Sequence, residues 1–371
     1  MMEKLQPKLR FPEFDELWKI NILGNLFDIT AGGDIKKQYV NDKQTNEFKY
    51  PIYANAEKNK GLYGFSSIYK INEEVVTIAG RGVNIGIAHA RKEKFYPIVR
   101  LLVLKPKFQF SVDFFEYVIN NLNIVEESTG VPQLTAPQIS KYRVNYPSLP
   151  EQQKIASFLT AVEDKISNLK QKISLLEKYK KGVMQQIFSQ QIRFKDTSGN
   201  DYPEWEEKCL GDCLEYEQPT NYLVSSTEYS DTYKTPVLTA GKTFILGYTD
   251  EEFGVFNQFP VIIFDDFTTA TQFVNFSFKA KSSAMKILKS KAKNDVKFLY
   301  ELMQMINYEI GGHGRHWISV YSLLDVLVPC IEEQTKIAEF LTGIDEKIET
   351  TKLQFSKMEV WKKGLLQGMF C

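Results

Sequence analysis

Lys154-Ile155-Ala156-Ser157-Phe158-Leu159-Thr160 recurs 182 residues later as Lys336-Ile337-Ala338-Glu339-Phe340-Leu341-Thr342. An internal repeat with this period indicates a chain built from two similar halves. Further matches at the same offset extend the similarity over about forty residues without a gap. They pair Glu151-Gln152 with Glu333-Gln334, Pro147 with Pro329, and Lys180-Lys181-Gly182 with Lys362-Lys363-Gly364.

Each half also begins with a similar entry segment. Leu9-Arg10-Phe11, Trp18 and Leu23-Gly24 correspond to Ile192-Arg193-Phe194, Trp205 and Leu210-Gly211. Between this entry and the repeated helical stretch lies a variable segment, at about 20–146 in the first half and 207–328 in the second. The variable segments contain short β-branched and aromatic runs broken by Gly, Asn and Asp, which is typical of strands joined by turns.

Some runs of the two variable segments share a pattern. Tyr50-Pro51-Ile52-Tyr53-Ala54 is similar to Thr235-Pro236-Val237-Leu238-Thr239, and 75–79 is similar to 261–264. We expect a helix over Phe114–Val125 in the first segment and over Val296–Ile310 in the second. Each variable segment is therefore predicted to be α+β.

The repeated stretches show the four-three apolar spacing of a coiled-coil seam over about five heptads. Proline residues before each stretch mark the helix starts. The predicted seam consists of Ile155, Leu159, Val162, Ile166, Leu169, Ile173 and Leu176 in the first copy, and of Ile337, Leu341, Ile344, Ile348, Phe355 and Met358 in the second.

A lysine interrupts each seam at the equivalent position, Lys180 and Lys362. A polar residue in a seam lowers stability and fixes helix orientation or register. Both lysines lie near the C-terminal ends of their helices, so an antiparallel pairing would place them at opposite ends of the seam, away from its middle. We take this antiparallel arrangement as a hypothesis. Ordinary long core helices are the alternative interpretation.

Composition excludes several classes of protein. The 371 residues allow two or three domains, and a hydrophobic content of 43% is that of a packed globular chain. No apolar run reaches the ~18 residues of a membrane span, and residues 1–15 do not resemble a signal peptide. We therefore expect a soluble, cytoplasmic protein. Its cysteines are expected to be reduced thiols; they are Cys209, Cys213, Cys330 and Cys371.

Three segments resemble the specificity subunit of bacterial type I restriction-modification enzymes. They are Pro147-Ser148-Leu149-Pro150-Glu151-Gln152-Gln153-Lys154-Ile155-Ala156, the helix ending Lys180-Lys181-Gly182-Val183-Met184-Gln185-Gln186-Ile187-Phe188, and the linker from Arg193-Phe194 to Trp205. The resemblance covers essentially the whole chain. The second copy departs from it at Val328-Pro329-Cys330-Ile331-Glu332, and Thr351 replaces the apolar Leu169.

The resemblance implies an architecture with an internal pseudo-two-fold repeat. Two α+β target-recognition domains are expected at 1–146 and 192–328, with a central helical region at 147–191 and a C-terminal one at 329–371. Two long antiparallel coiled-coil helices would separate the recognition domains.

The resemblance also implies a non-catalytic, DNA-binding role in a restriction system. Each recognition domain would read one half of a bipartite target in double-stranded DNA, while the helices dock methyltransferase (modification) subunits. The motor-endonuclease (restriction) subunit would join through the complex. S-adenosylmethionine, ATP and Mg²⁺ are expected on those partners and no cofactor on this chain. A coiled-coil scaffold for protein partners is the alternative function.

Inspection of the residues finds no convincing catalytic constellation. Gly241-Lys242-Thr243 lacks the first glycine of a phosphate loop, since Pro236 holds that position. The acid-x-Lys elements at 163–165 and 345–347 lie inside the heptad helices, where solvent-exposed faces are the better interpretation. His313 and His316 have no Cys or acidic residue nearby at metal-ligand spacing, so no metal site is predicted.

Net charge is zero, because 46 Lys and Arg residues balance 46 Asp and Glu residues. The distribution is uneven, since 196–328 carry 11 basic and 19 acidic residues. Within that stretch, 279–328 carry 8 basic and 4 acidic residues. We expect this lysine run to make phosphate contacts, which position a protein on DNA but do not specify sequence. Its predicted contacts are Lys286, Lys289, Lys291 and Lys293.

Glycine-rich and turn-like segments supply the remaining DNA-binding candidates. Arg81 and Arg315 are the leading ones, because arginine pairs bidentately with guanine. Gln133, which lies in the counterpart of the Arg315 loop, is expected to address adenine. The other candidates are Lys36, Lys37, Asn55, Lys58, Lys60, Asn84 and Arg91 in the first half, and Lys242, His313 and His316 in the second. Ordinary exposed turns are the alternative for each.

Overall fold

The structure, a computed structural model, describes residues 6–55, 58–122, 124, 133–241, 243–291, 293–307 and 315–370. The chain divides into two compact units. The first comprises 1–170 and 353–371, and the second comprises 171–352.

The helices fall into two long ones and six short ones within the described ranges. The short helices are α1 (Leu23–Leu26), α2 (Val112–Asn120), α3 (Ala136–Ile139), α5 (Leu210–Cys213), α6 (Val296–Met303) and α7 (His316–Ser319). The long helices are α4 (Leu149–Phe188) and α8 (Ile331–Met369). Single 3-10 turns occur at Lys37–Tyr39, Lys58–Gly61, Pro219–Tyr222 and Tyr321–Leu323.

The described residues of the first unit form three sheets. Its strands are β1 (Lys19–Ile22), β2 (Phe27–Ala31), β3 (Val40–Asn41), β4 (Tyr50–Tyr53), β5 (Leu62–Ser66), β6 (Val75–Ile78), β7 (Ala88–Arg91), β8 (Tyr96–Pro97), β9 (Leu102–Pro106) and β10 (Arg143–Tyr146). The strand orders are β2-β9-β6-β7, β3-β5-β4-β8 and the pair β1-β10. The buried strand β6 and helix α2 form the centre of its core.

The second unit repeats this plan. Its strands are β11 (Glu206–Cys209), β12 (Leu214–Glu217), β13 (Thr235–Leu238), β14 (Ile245–Thr249), β15 (Val261–Asp265), β16 (Thr271–Val274), β17 (Lys279–Ala280), β18 (Met285–Ser290) and β19 (Asp325–Val328). The orders β12-β18-β15-β16, β14-β13-β17 and β11-β19 match those of the first unit, except that β3 has no counterpart among the described strands of the second unit. The similar sequence runs occupy equivalent places, since β4 and β13 each pair in parallel with a short strand.

The predicted helices of the variable segments are present but shorter than expected. Helix α2 ends at Asn120 and α6 ends at Met303. Ser111 caps the first through the Phe114 N–H at 3.3 Å, and Asp295 caps the second through the Phe298 N–H at 2.9 Å. Residues 125 and 308–310, where the predicted helices would have continued, lie outside the described residues.

The long helices pair in an antiparallel manner in the second unit. Lys180 of α4 contacts Asp345 of α8, whereas Glu177, one turn earlier, contacts Lys352, two turns later. In the first unit Phe158 of α4 packs edge-on against Trp361 of α8 with 5.9 Å between ring centroids. All the predicted seam residues are buried or half-buried. The prediction of α+β domains with two long antiparallel helices is confirmed.

A buried glutamate ties the entry segment of each half to the first turn of its long helix. In the first unit, Arg10 donates two hydrogen bonds of 2.7 Å to Glu151, and the Trp18 indole donates a third of 3.2 Å. Glu151 is 1% exposed, so its carboxylate depends on these donors. The arginine and the tryptophan that recur in the entry segments therefore act as hydrogen-bond donors to this carboxylate.

The second unit contains the same arrangement. Arg193 donates to both carboxylate oxygens of Glu333 at 3.3 and 2.9 Å, and Trp205 donates at 3.1 Å. These hydrogen bonds raise the pKa of Arg193. The glutamine that follows each glutamate also has a matching role, since Gln152 accepts from the Ser111 N–H and Gln334 from the Asp295 N–H. The repeated Glu-Gln pair thus joins the helix start to the cap of α2 or α6.

The chain passes the end of each long helix in the same way. Where α4 ends in the second unit, the N–H of Ile192 donates to the carbonyl of Gln186 at 3.2 Å. Where α8 ends in the first unit, the N–H of Leu9 donates to the carbonyl of Gly368 at 2.8 Å. Leu9 and Ile192 are equivalent in the repeat. The first of these junctions is local in the sequence, whereas the second joins two segments that are far apart in it.

Candidate nucleic-acid interface

The loops after β6 in the first unit are held together by backbone and amide hydrogen bonds. The Gly80 N–H donates to the side-chain oxygen of Asn55 at 2.9 Å, and the Asn55 amide donates to the Val99 carbonyl at 2.6 Å. The Leu134 N–H donates to the Gly80 carbonyl at 2.9 Å. We call the segments 54–55, 79–84, 98–101 and 133–134 the first-unit loop surface.

The backbone segments approach one another closely at Gly80, at the centre of the first-unit loop surface. A Cβ at Gly80 would lie 3.0 Å from the carbonyl oxygens of both Arg100 and Leu134. Val99 and Arg100 adopt left-handed backbone conformations, with φ of 52° and 58°. Such conformations are strained for residues other than glycine and are concentrated at functional sites. The surrounding hydrogen bonds hold this strained pair in place.

Arg81 and Gln133, which the sequence singled out separately, lie together on this surface. Arg81 forms a backbone bridge with Gln133, and its Nη2 donates to the Gln133 Oε1 at 2.9 Å. Both residues are half-buried. Val83, two residues after Arg81, is 94% exposed, so the tip of this loop projects into solvent.

Arg100 is an exposed cation that the sequence analysis missed. It follows the apolar run Tyr96-Pro97-Ile98-Val99, which reads as strand, and no pattern in the sequence marks the left-handed turn that exposes it. Lys36, Lys37 and Lys60 are also exposed, as expected for phosphate contacts. The side chain of Lys58 lies outside the described residues.

Three candidates of the first half have structural roles. Arg91 is 4% exposed, donates to Thr77 at 3.1 Å, and lies 3.5 Å from the centroid of the Tyr53 ring. Burial lowers the pKa of Arg91. The Asn55 amide donates to the Val99 carbonyl through its nitrogen and accepts from the Gly80 N–H through its oxygen. Asn84 is buried. The burial of Arg91 and Asn84 speaks against the prediction that they contact DNA, whereas the half-buried Asn55 stays a predicted contact.

The second unit has an equivalent pair of positions. The register of β6 against β9 and of β15 against β18 makes Gly80 equivalent to Asp266. The His316 N–H donates to the Asp266 carbonyl at 2.9 Å, just as Leu134 does to Gly80. Phe267 is therefore structurally equivalent to Arg81, and Arg315 is structurally equivalent to Gln133.

Buried charges position Arg315. The Asp266 carboxylate accepts from the Trp317 N–H at 2.9 Å and lies 3.5 Å from the ammonium group of Lys286. Arg315 itself is exposed, and Phe267 is 42% exposed. His316 is 6% exposed, so the position of its side chain speaks against the prediction that it contacts DNA. His313 and Lys242 lie outside the described residues.

The lysine run of the second unit largely neutralises acidic residues of the same unit. Lys286 is 1% exposed and faces Asp266, so the prediction of a phosphate contact there was wrong. Lys289 is half-buried and forms an ion pair with Glu217. Although burial alone raises the pKa of Glu217, hydrogen bonds from Lys289 and Tyr222 lower it.

The other lysines of the run divide into paired and exposed ones. Lys279 is fully buried against Glu251, and Lys297 contacts Glu301 and Asp345. Lys291 and Lys293 are exposed, although the Lys291 ammonium group donates to the Gly211 carbonyl at 2.9 Å. Of the four predicted phosphate contacts in the run, these two remain accessible.

Within the described residues, no three His, Cys, Asp or Glu side chains are grouped so that they could hold a metal ion. None of their helices combines the length and apolar character needed to cross a membrane.

The chain matches the family model for the type I restriction modification DNA specificity domain twice, at residues 15–178 and 202–357. It is 51% identical over 133 residues to the EcoR124I/EcoR124II specificity subunit of a type I restriction enzyme from Escherichia coli. That match covers 34% of this chain and 33% of the relative. The chain spans less than half the length of three specificity subunits of Mycoplasma pneumoniae.

Longer matches are more distant. The MjaVIII specificity subunit from Methanocaldococcus jannaschii is 23% identical over 406 residues, which cover 96% of this chain and 92% of the relative. The crystal structure of the type I restriction-modification S subunit from M. genitalium has a TM-score of 0.73 at 15% identity and covers 99% of both chains. This likeness shows a shared fold. The two matches of the family model span most of the sequence, so the chain belongs to the family of type I restriction-modification DNA specificity domains.

Proposed function

We propose that this chain is the DNA-sequence specificity subunit of a type I restriction-modification complex, in which each unit reads one half of a bipartite target. The observation that carries the proposal is the duplicated framework with different loop chemistry. Equivalent strands and hydrogen bonds present Arg81 opposite Gln133 in the first unit and Phe267 opposite Arg315 in the second. Two similar frames with different contact residues suit the reading of two different half-sites.

The charge distribution is compatible with DNA binding through localised contacts. In the first unit the exposed cations include Lys36, Lys37, Lys60 and Arg100. In the second unit, the lysines paired with acidic residues account for much of the charge that the sequence shows, and Lys293 and Arg315 remain exposed. We infer that partner subunits supply much of the non-specific affinity for phosphates.

The long helices have exposed apolar residues suited to docking methyltransferase subunits. In the second unit Leu175 is 57% exposed and Tyr179 is 53% exposed. In the first unit Leu353, Val360 and Trp361 are 56%, 71% and 46% exposed. Tyr179 and Trp361 are equivalent in the repeat. Exposed apolar residues at equivalent places support two similar docking sites for two copies of one partner.

The chain itself is proposed to be non-catalytic. The methyltransferase subunits would bind S-adenosylmethionine and methylate adenine, and the restriction subunit would use ATP and Mg²⁺ to translocate and cut DNA. The specificity chain then contributes recognition and assembly.

The proposal is tested by mapping methylated adenines in DNA that has been modified by the reconstituted complex. We expect a two-part sequence motif, with Arg81→Ala relaxing one half and Arg315→Ala relaxing the other. Arg143→Ala, an exposed arginine on β10, serves as the matched control and should leave the motif intact. Methylation without any sequence motif would reject the specificity function and favour the coiled-coil scaffold.

A further inference from the structure

We propose that Arg81 and Gln133 act as one guanine-reading element, in which Gln133 positions Arg81 and does not itself read adenine. This inference rests on the proposed DNA-specificity function and names the base that one of its contact sites recognises. It starts from the 2.9 Å hydrogen bond between Arg81 Nη2 and Gln133 Oε1.

The hydrogen bond changes what the glutamine can offer to a base. A free glutamine side chain recognises adenine by donating to N7 and accepting from the N6 amino group. In this structure the Arg81 guanidinium occupies one of the two lone pairs of Oε1. Its positive charge opposes the approach of the partly positive N6 amino group of adenine to the other lone pair. The amide nitrogen of Gln133 can only donate.

Arg81 also offers only donors, because a guanidinium group has no acceptor. The pair therefore presents mainly donors to the major groove. Guanine presents two acceptors there, O6 and N7, whereas adenine and cytosine each present an amino donor that facing donors would leave without a partner. Thymine presents one acceptor beside its methyl group, so guanine is the base that matches two donors.

Further contacts hold the arginine in place. Its Nε is buried and has no hydrogen-bond partner among the described residues. A base contact must therefore be made by the terminal nitrogens, one of which Gln133 already holds. Fixing a long side chain before binding reduces the entropy lost on contact with DNA. Gln133 is thus a positioning residue for Arg81.

The second unit supports the importance of this pair of positions. Arg315 occupies the place of Gln133, and Phe267 occupies that of Arg81. Each unit thus has an arginine at these two facing positions, contributed from opposite segments. An arginine that recurs at this pair of positions in both units favours a role in base recognition. A purely structural role in the first unit would not require an arginine in the second.

The inference is tested with the reconstituted methyltransferase complex and duplexes in which each base pair of the mapped target is replaced in turn. Arg81→Ala should reduce discrimination at a single G·C pair by about 5- to 150-fold. Gln133→Met should reduce discrimination at the same base pair by a smaller factor. The double variant should lose no more than Arg81→Ala alone, because Gln133 acts through Arg81.

Two further variants keep the test decisive. Arg81→Lys retains the charge and loses the bidentate geometry, so it should relax the same G·C pair even if Arg81→Ala fails to fold. Gln133→Glu retains an acceptor for Arg81, so it should slow methylation of all duplexes and leave the guanine preference unchanged. Arg143→Ala again serves as the control.

Other outcomes separate this inference from the proposed function. Relaxation at an A·T pair, or at different base pairs for the Arg81 and Gln133 variants, would overturn the guanine-reading pair while leaving a sequence-specific subunit. A wild-type complex that methylates every duplex at the same rate would instead reject the proposed function.

Discussion

The Nζ atom of Lys180 lies 2.7 Å from Oδ1 of Asp345, across the two long helices of the second unit. The equivalent pair in the first unit has the lysine on the other helix, since Nζ of Lys362 on α8 lies 2.6 Å from Glu163 on α4. The interrupting lysines of the seam are therefore neutralised by acids of the facing helix. Glu163 and Asp345 are partners of these lysines and not merely parts of solvent-exposed faces.

The two lysine pairs are predicted to differ in their contribution to stability. Lys180 also lies 3.0 Å from Glu301, which is fully buried, whereas the Lys362 and Glu163 side chains are 30% and 40% exposed. Lys180→Met should lower the free energy of unfolding by about 2 to 3 kcal/mol, because a buried carboxylate loses one of its cations. Lys362→Met should cost less than about 1 kcal/mol. Urea denaturation of both variants measures the difference, and equal losses would contradict it.

The carboxylates that tie the entry segments to the long helices are predicted to make a large contribution to the stability of the fold. Glu333→Gln should destabilise the protein by about 3 kcal/mol, because the Arg193 guanidinium loses its buried partner. Glu332→Gln changes the exposed neighbour in the same helical turn and is the matched control. Thermal unfolding monitored by circular dichroism compares the two. A similar melting temperature for both variants would show that the buried ion pair does not stabilise the fold.

The Lys279 and Glu251 pair predicts a pH dependence in acid. Burial raises the pKa of Glu251, but hydrogen bonds from Lys279, Ser226 and Ser225 outweigh this effect and lower it to about 2. A depressed carboxylate pKa stabilises the native state above the unfolded-state pKa of about 4.3, and this contribution is lost as the pH falls towards 2. The stability difference between wild type and Glu251→Gln should therefore be constant from pH 7 to about pH 5 and shrink below that.

Unfolding midpoints at intervals between pH 7 and pH 3 measure this difference. Glu252→Gln, an exposed neighbour, controls for the general effect of removing a negative charge. A gap between wild type and Glu251→Gln that widens on acidification would contradict the prediction.

Substitutions of a buried and of an exposed lysine in the second unit should affect different properties, namely stability in the first case and DNA binding in the second. Lys286→Met should reduce stability and leave the salt dependence of DNA binding unchanged, because Lys286 is buried against Asp266. Lys293→Ala should leave stability unchanged, weaken binding to all sequences equally, and flatten the salt dependence. Binding isotherms of the assembled complex at several salt concentrations distinguish the two, and a reversed pattern would show that the buried lysine reaches phosphate.

The architecture was predictable because periodicity and duplication are properties of the sequence itself. The spacing of Leu159, Val162 and Ile166 predicts a helical seam, and the match of 50–54 with 235–239 predicts equivalent strands. The site was only partly predictable, since the accessibility of a side chain depends on packing. Lys286 and Lys293 are alike in sequence, yet one faces a buried aspartate and the other faces solvent. The pairing of Arg81 with Gln133 joins residues that are distant in sequence.

The hydrogen bond from Leu9 to Gly368 in the first unit and the one from Ile192 to Gln186 in the second close the same junction between a long helix and an entry segment. The second joins residues that are close in the sequence, whereas the first joins residues that are far apart in it. Because the conformational entropy lost on closing a loop grows with the number of residues in the loop, the junction of the first unit costs more to close. We therefore expect the contact between Leu9 and Gly368 to form later in folding than the contact between Ile192 and Gln186.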